Sequence, residues 1–188
     1  MSETIYTVGH SNRPCEALIE LLKTADIAAV ADVRTSPYSR FAPQYNAPTL
    51  AMALKTAGIA YVPLSELGGR PTAAELYEPD GRVSYERLSA TPVWQAGLDR
   101  LVQGSNSLRI AILCSEEDPA GCHRRLAIAR DLAERGIEVR HLRADGQIQD
   151  EAALTAEIAA RAPAQRRKLE AADAARLSVN PIRQSPPA

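Results

Sequence analysis

At 188 residues, 45% hydrophobic and 24% charged, the chain has the size and composition of an ordinary globular protein with a substantial core. A net charge of −1 excludes a global electrostatic drive towards nucleic acid or an anionic membrane, so any anion site must be local. No apolar run approaches membrane-spanning length and the first residues, MSETIYTVGH, carry no export pattern, so the three cysteines are expected as reduced thiols in the cytoplasm.

Residues 4–9 (TIYTVG) read as a first strand. His10-Ser11-Asn12-Arg13-Pro14 follows. Ser11 or Asn12 can cap a helix running to about residue 24, and Pro14 suits its first turn. His10 sits at the strand end, where no cap is yet needed. Residues 27–33 (IAAVADV) form a second strand, apolar throughout as a doubly covered strand should be. It ends in Asp32-Val33-Arg34 and a long loop that presents Ser39 and Arg40 among Tyr38, Phe41 and Tyr45. Long loops are disproportionately functional, and Arg among aromatic rings suits a phosphorylated or planar ligand. The plainer reading of the loop is a solvated segment with an Asp32–Arg34 or Asp32–Arg40 pair.

A second helix is expected over 48–57, stopped by Gly58. Residues 59–64 form a third strand, which Pro63 assigns to an edge or an end. Gly68 and Gly69 permit close backbone approach beside Arg70. Residues 72–85 are irregular and polar and read as a surface excursion. A helix over 92–103 precedes a strand over 108–113 (LRIAIL), a helix over 126–135 and a last strand over 137–142 that carries His141. An amphipathic helix covers 150–161. Beyond it lie a helical extension, whose Arg166-Arg167-Lys168 reads as a solvated face, and a Pro-rich ending expected to be disordered. The division is one domain over 1–162 and an extension over 163–188.

The alternation predicts an α/β fold: a mostly parallel open sheet of about five strands with helices on both faces, three-layered and Rossmann-like. In such a sheet the carboxyl ends of the strands share one edge, where ligands bind. His10, Asp32 and Arg34, residues 67–70, Cys114 and Glu116, and His141 all follow strands, so separate segments deliver charged or reactive residues to one crevice. The densest is 114–125 (CSEEDPAGCHRR), between a strand and a helix. Helix N-termini attract anions and lower thiol pKa values. Cys114 ends the strand with Glu116 just above it, and is equally consistent with a reactive or a tucked-away thiol. Cys122 falls at helical spacing with Leu126, Ala129 and Ala133, which favours a small core residue.

Four pieces in order carry a resemblance: Gly9-His10-Ser11-Asn12; Asp32-Val33-Arg34-x-x-Pro37-x-Ser39-Arg40; Leu67-Gly68-Gly69-Arg70; and Cys114-x-Glu116-x-x-Pro119-x-x-Cys122-His123-Arg124. Together they resemble the domain of unknown function 488 family over about residues 4–142. The resemblance implies an α/β domain with a shared site and supplies no reaction. Glu117-Asp118 and the tail after about residue 162 lie outside the pattern.

Several chemistries fit poorly. A cysteine-phosphatase loop needs Arg six positions after the thiol, which here is Ala120. A metal site of Cys114, Cys122 and His123, with His10 as a further candidate ligand, lacks zinc-finger or ribbon spacing and stands as a lesser alternative, so no metal is expected. The first turn lacks the glycine fingerprint of a dehydrogenase. Two readings remain. One is an enzyme on a nucleotide-like or other anionic small molecule. Arg34, Arg40, Arg70 and Arg124 hold the anion, with Ser11, Asn12, Ser39, Gly68, Gly69 and His123 around it. Glu116 or Asp32 is the acid–base group, and Cys114 or His10 the nucleophile or proton carrier. The other is a non-catalytic module that binds a nucleotide or a nucleic-acid end. Cofactor and oligomeric state are left open, and no membrane partner is expected.

Overall fold

Six strands build one sheet: β1 (Thr4–Gly9), β2 (Ala29–Asp32), β3 (Ala60–Pro63), β4 (Ile110–Cys114), β5 (Glu138–Leu142) and β6 (Ile148–Gln149). In this computed structural model, which describes residues 4–182, their order is β3-β2-β4-β1-β5-β6. The first five run parallel. β6, not anticipated from the sequence, is a two-residue antiparallel addition to β5. β3 lies at an edge, as Pro63 requires. The α/β architecture is thus as expected, but the strand order is not the 3-2-1-4-5-6 of dinucleotide-binding sheets. Here β4 is inserted between β2 and β1. The strand that ends in Cys114 therefore has the end of β1 on one side and the end of β2 on the other.

Helices cover both faces because successive strand residues point to opposite sides. On one face α1 (Cys15–Thr24) and α2 (Ala47–Thr56) bury Leu18, Leu22, Leu50 and Leu54 in one cluster with Val8, Val30 and Leu113. On the other, α3 (Tyr85–Ser89), α4 (Pro92–Ser105) and α5 (Arg130–Glu134) set Trp94, Leu98 and Leu132 in a cluster with Ile5, Ala31 and Ile112. Each such leucine, isoleucine or valine contributes about 1.5–3 kcal/mol on burial. α5 continues a π-helical segment, Arg124–Ala129. α6 (Glu151–Ala160) and α7 (Pro163–Ala174) join Ala120 through Leu154, Ile158 and Leu169. Among the described residues no helix is long and apolar enough to cross a membrane.

Three local expectations change. Neither Ser11 nor Asn12 caps α1. Pro14 takes that position without a side-chain bond, and Ser11, at φ 51°, donates its N–H to the Ser115 carbonyl at 2.8 Å. Residues 72–85 are not a surface excursion. A Tyr77–Val83 bridge folds them back and buries Leu76, Tyr77, Val83 and Tyr85. The chain after α7 also packs. Leu177 bridges to Ser84, Ser178 is buried, and the Ile182 N–H bonds the Gly81 carbonyl at 2.8 Å. The ending expected to be disordered thus contributes Asn180–Ile182 to the packed structure, and its remainder, 183–188, lies outside the described residues.

Candidate functional site at the end of the central strand

Strand alternation divides the site into two sides that share a backbone. Ile112 belongs to the α3–α5 cluster, and Cys114, two residues on, points the same way. His10 lies on the opposite side, its ring stacked on Tyr45 at 4.1 Å between centroids. The two meet through the main chain, where the His10 N–H donates to the Cys114 carbonyl at 3.0 Å.

On the α3–α5 side three side chains converge. The His123 Nδ1 lies 3.7 Å from the Cys114 sulfur and 3.8 Å from the Cys122 sulfur. Its other nitrogen, Nε2, faces the Val33 carbonyl at 3.3 Å. A carbonyl only accepts, so Nε2 carries a proton and Nδ1 serves the sulfurs. Gly69 is what lets the ring lie there, since a Cβ at that position would stand 2.5 Å from the His123 Cγ. Cys122 is therefore buried, as its helical spacing suggested, but its sulfur belongs to this cluster.

The charges follow from the packing. A hydrogen bond from Cys122 holds the Cys114 thiol well below its usual range, helped by His123 and Arg124 and opposed by burial. Burial and the neighbouring Cys114 sulfur push Cys122 well above its own. Burial alone would lower His123, yet the adjacent Cys114 raises it. Glu116 is raised by burial and by Cys114. Tyr85 is raised strongly by burial, with Cys122, Glu116 and Cys114 adding to it.

On the α1–α2 side Arg34 spends its Nε and part of each Nη on the protein. It donates to Asp32 from Nε at 2.8 Å and from Nη2 at 2.5 Å, while Nη1 meets the His10 Nε2 at 3.2 Å. The Tyr61 hydroxyl donates to Asp32 at 2.7 Å. Burial, with help from Arg34, lowers the His10 pKa, so its ring is neutral at physiological pH.

A cavity of about 680 Å³ opens over this edge. Of the residues singled out in the sequence, Arg34, Ser39, Gly69, Arg70, Cys114, Glu116 and His123 line it. The others do not. Ser11 and Asn12 are exposed on the far side of the first turn. Arg40 is exposed too, with its guanidinium over Phe41 at 4.7 Å. Gly68 is packed on Thr35. His10 and Asp32 are buried behind Arg34. Arg124, 1% exposed, lies under the floor. Its Nη2 bonds the Glu117 carbonyl, its Nη1 abuts Gly9, and Nε and Nη1 have no partner among the described residues. His141 is equally remote, bonded to Thr7 at 2.8 Å and facing Glu151.

The acidic pair does not occupy the cavity. Glu117 pairs with Arg143 at 3.1 Å and Asp118 with Arg161 at 2.7 Å. Glu116 alone of the three lines it. Two contributions went unread in the sequence: Tyr85 and the wall formed by residues 178–182. The signal for Tyr85 is that it ends a stretch whose Leu76, Tyr77 and Val83 are also apolar enough to bury.

No curated protein and no solved structure matches the chain. The family model described as the domain of unknown function DUF488 matches residues 14–132. That span holds Asp32, Arg34, the Gly68-Gly69-Arg70 turn and the whole Cys114–Arg124 junction, and it covers more than half of the 188 residues, so the chain belongs to the DUF488 family.

Proposed function

We propose that the cleft is the active site of an enzyme acting on a nucleotide-like or other anionic small molecule. The observation that carries this is the composition of its floor. Cys114, Glu116 and His123 of the 114–125 junction and Tyr85 of α3 converge under one cavity. Burying several titratable groups together costs stability, and a module that needed only affinity has no use for it. Arg70 has no ion-pair partner among the described residues and sits at the mouth. Arg34 retains N–H groups not spent on Asp32 and His10. These two supply the anion contacts, in place of the four arginines expected, and Glu116 is the proton carrier. A floor of unpaired thiols suits a reducing compartment and hence a cytoplasmic protein.

The test is a panel of mononucleotides and phosphorylated small molecules, scored by calorimetry for binding and by mass spectrometry for conversion. Cys114→Ala and Glu116→Gln should abolish conversion. Arg70→Ala should weaken binding about tenfold or more, the scale of one charge-assisted hydrogen bond. Binding without conversion across the panel would favour the non-catalytic module. No binding at all would defeat both readings.

A further inference from the structure

We infer that Cys114, Cys122 and His123 bind a divalent transition metal, zinc by ligand type, with a fourth position open to the cleft. The inference rests on the cleft being the active site, and it assigns the reactive centre there. It also promotes the alternative that spacing disfavoured, because Cys-x₇-Cys-His excludes ribbons and fingers but not a site assembled from a strand end and a helix start.

Geometry carries the argument. Tetrahedral zinc, with Zn–S of about 2.3 Å and Zn–N of about 2.1 Å, needs S···N edges of about 3.6 Å and an S···S edge of about 3.8 Å. The observed S···N separations are 3.7 and 3.8 Å. All three ligand atoms lie within 4.8 Å of one another. Two sulfurs around one imidazole nitrogen at these distances are a poor hydrogen-bonding arrangement, since one Nδ1 cannot serve both at full strength. They are a good chelate. A second observation is independent of the distances. Metal-binding histidines almost always donate their other N–H to a carboxylate or a carbonyl, and His123 gives Nε2 to Val33. Gly69 locks the ring from behind.

The fourth position is set by access. Cys114 and His123 line the cavity, and three protein ligands with one open position are the arrangement of catalytic rather than structural zinc. Among the described residues no carboxylate joins the ligand set. Glu116 lines the same cavity outside it, where it can take a proton from a metal-bound water that attacks the substrate and return it to the leaving group. The reaction class is then hydrolytic. Water adds across the bond that breaks, and no redox partner is needed.

The experiment uses the full chain purified without chelator. Elemental analysis should find about one zinc per chain. Chelation followed by cobalt should give the intense visible bands and thiolate charge transfer of a tetrahedral site. Cys122→Ser and His123→Ala should each lower zinc to under about a tenth of that level, whereas Cys15→Ser, a buried cysteine in α1 away from the site, should leave it unchanged. Circular dichroism checks the fold of each variant. If the cluster variants unfold, the wild-type zinc content and cobalt spectrum still decide. Metal-free protein with an octahedral cobalt spectrum, or none, overturns the inference. Anion binding by such metal-free protein would leave the active-site reading standing. Zinc in a protein that binds no anion would do the reverse.

Discussion

Removing the Asp32 carboxylate should cost more stability than any other single polar deletion at the site. Asp32 and Arg34 are 1% and 5% exposed in their side chains. Asp32 accepts from the Arg34 N–H, Nε and Nη2 and from the Tyr61 hydroxyl. In Asp32→Ala the guanidinium stays buried with the His10 nitrogen as its one remaining side-chain partner. An orphaned buried charge of this kind costs about 3–5 kcal/mol, a large share of the 5–15 kcal/mol typical of a whole domain. Urea unfolding followed by the fluorescence of Trp94, the single tryptophan, measures it directly. Asp32→Ala/Arg34→Met, which removes both partners, should recover more than half of the loss, since replacing a pair is far cheaper than breaking one. A loss under about 1 kcal/mol in Asp32→Ala, or no recovery in the double variant, would show that Arg34 does not depend on Asp32.

Three further outcomes follow from the geometry. Gly69→Ala should destabilise by roughly 1–3 kcal/mol through overpacking on His123 and lower zinc content; unchanged urea midpoint and zinc together would contradict the close approach. Arg40→Ala should leave anion affinity as in the wild type while Arg70→Ala weakens it, because Arg40 stacks on Phe41 outside the cavity; calorimetry with phosphate reads both. Burial pushes Glu117, Asp118 and Glu151 up, but bonds from Arg143, Arg161, and His141 with Arg125 outweigh it and hold all three below the usual carboxylate range. Their contribution is complete above the unfolded carboxylate values of about 4 and is lost as pH falls through the depressed folded ones. α6 should therefore lose hydrogen-exchange protection on acidification to about pH 3 before the sheet does, and simultaneous loss would contradict this.

The layers were legible because apolar runs and helical spacing are local properties, and the edge carrying the site followed from parallel topology. What stayed hidden depends on distant or irregular structure. Helical spacing puts Cys122 on one face with Leu126, Ala129 and Ala133, but the segment after it is π-helical, and the wider turn leaves Ala133 exposed. The sequence offers Arg34 or Arg40 as the partner of Asp32, and only the path of the loop decides that Arg34 takes it and Arg40 turns to Phe41. Nothing local shows that Glu117 and Asp118 turn away from the cavity, because their partners Arg143 and Arg161 lie 26 and 43 residues further on. The insertion of β4 between β2 and β1 is a long-range choice that no local pattern encodes.

The wall at residues 178–182 sets an order of assembly. The floor is complete in sequence at His123, and the wall is made about 60 residues later. At about 5–20 residues per second of synthesis, that is a delay of roughly 3–12 s. During it Cys114 and His123 lack the wall that Val179, Asn180 and Pro181 add to the finished cleft. The nascent chain thus passes through a window in which the Cys114 thiol is open on the side the wall later closes. Whatever the cellular thiol and metal pools deliver in those seconds meets the site before its last wall is seated.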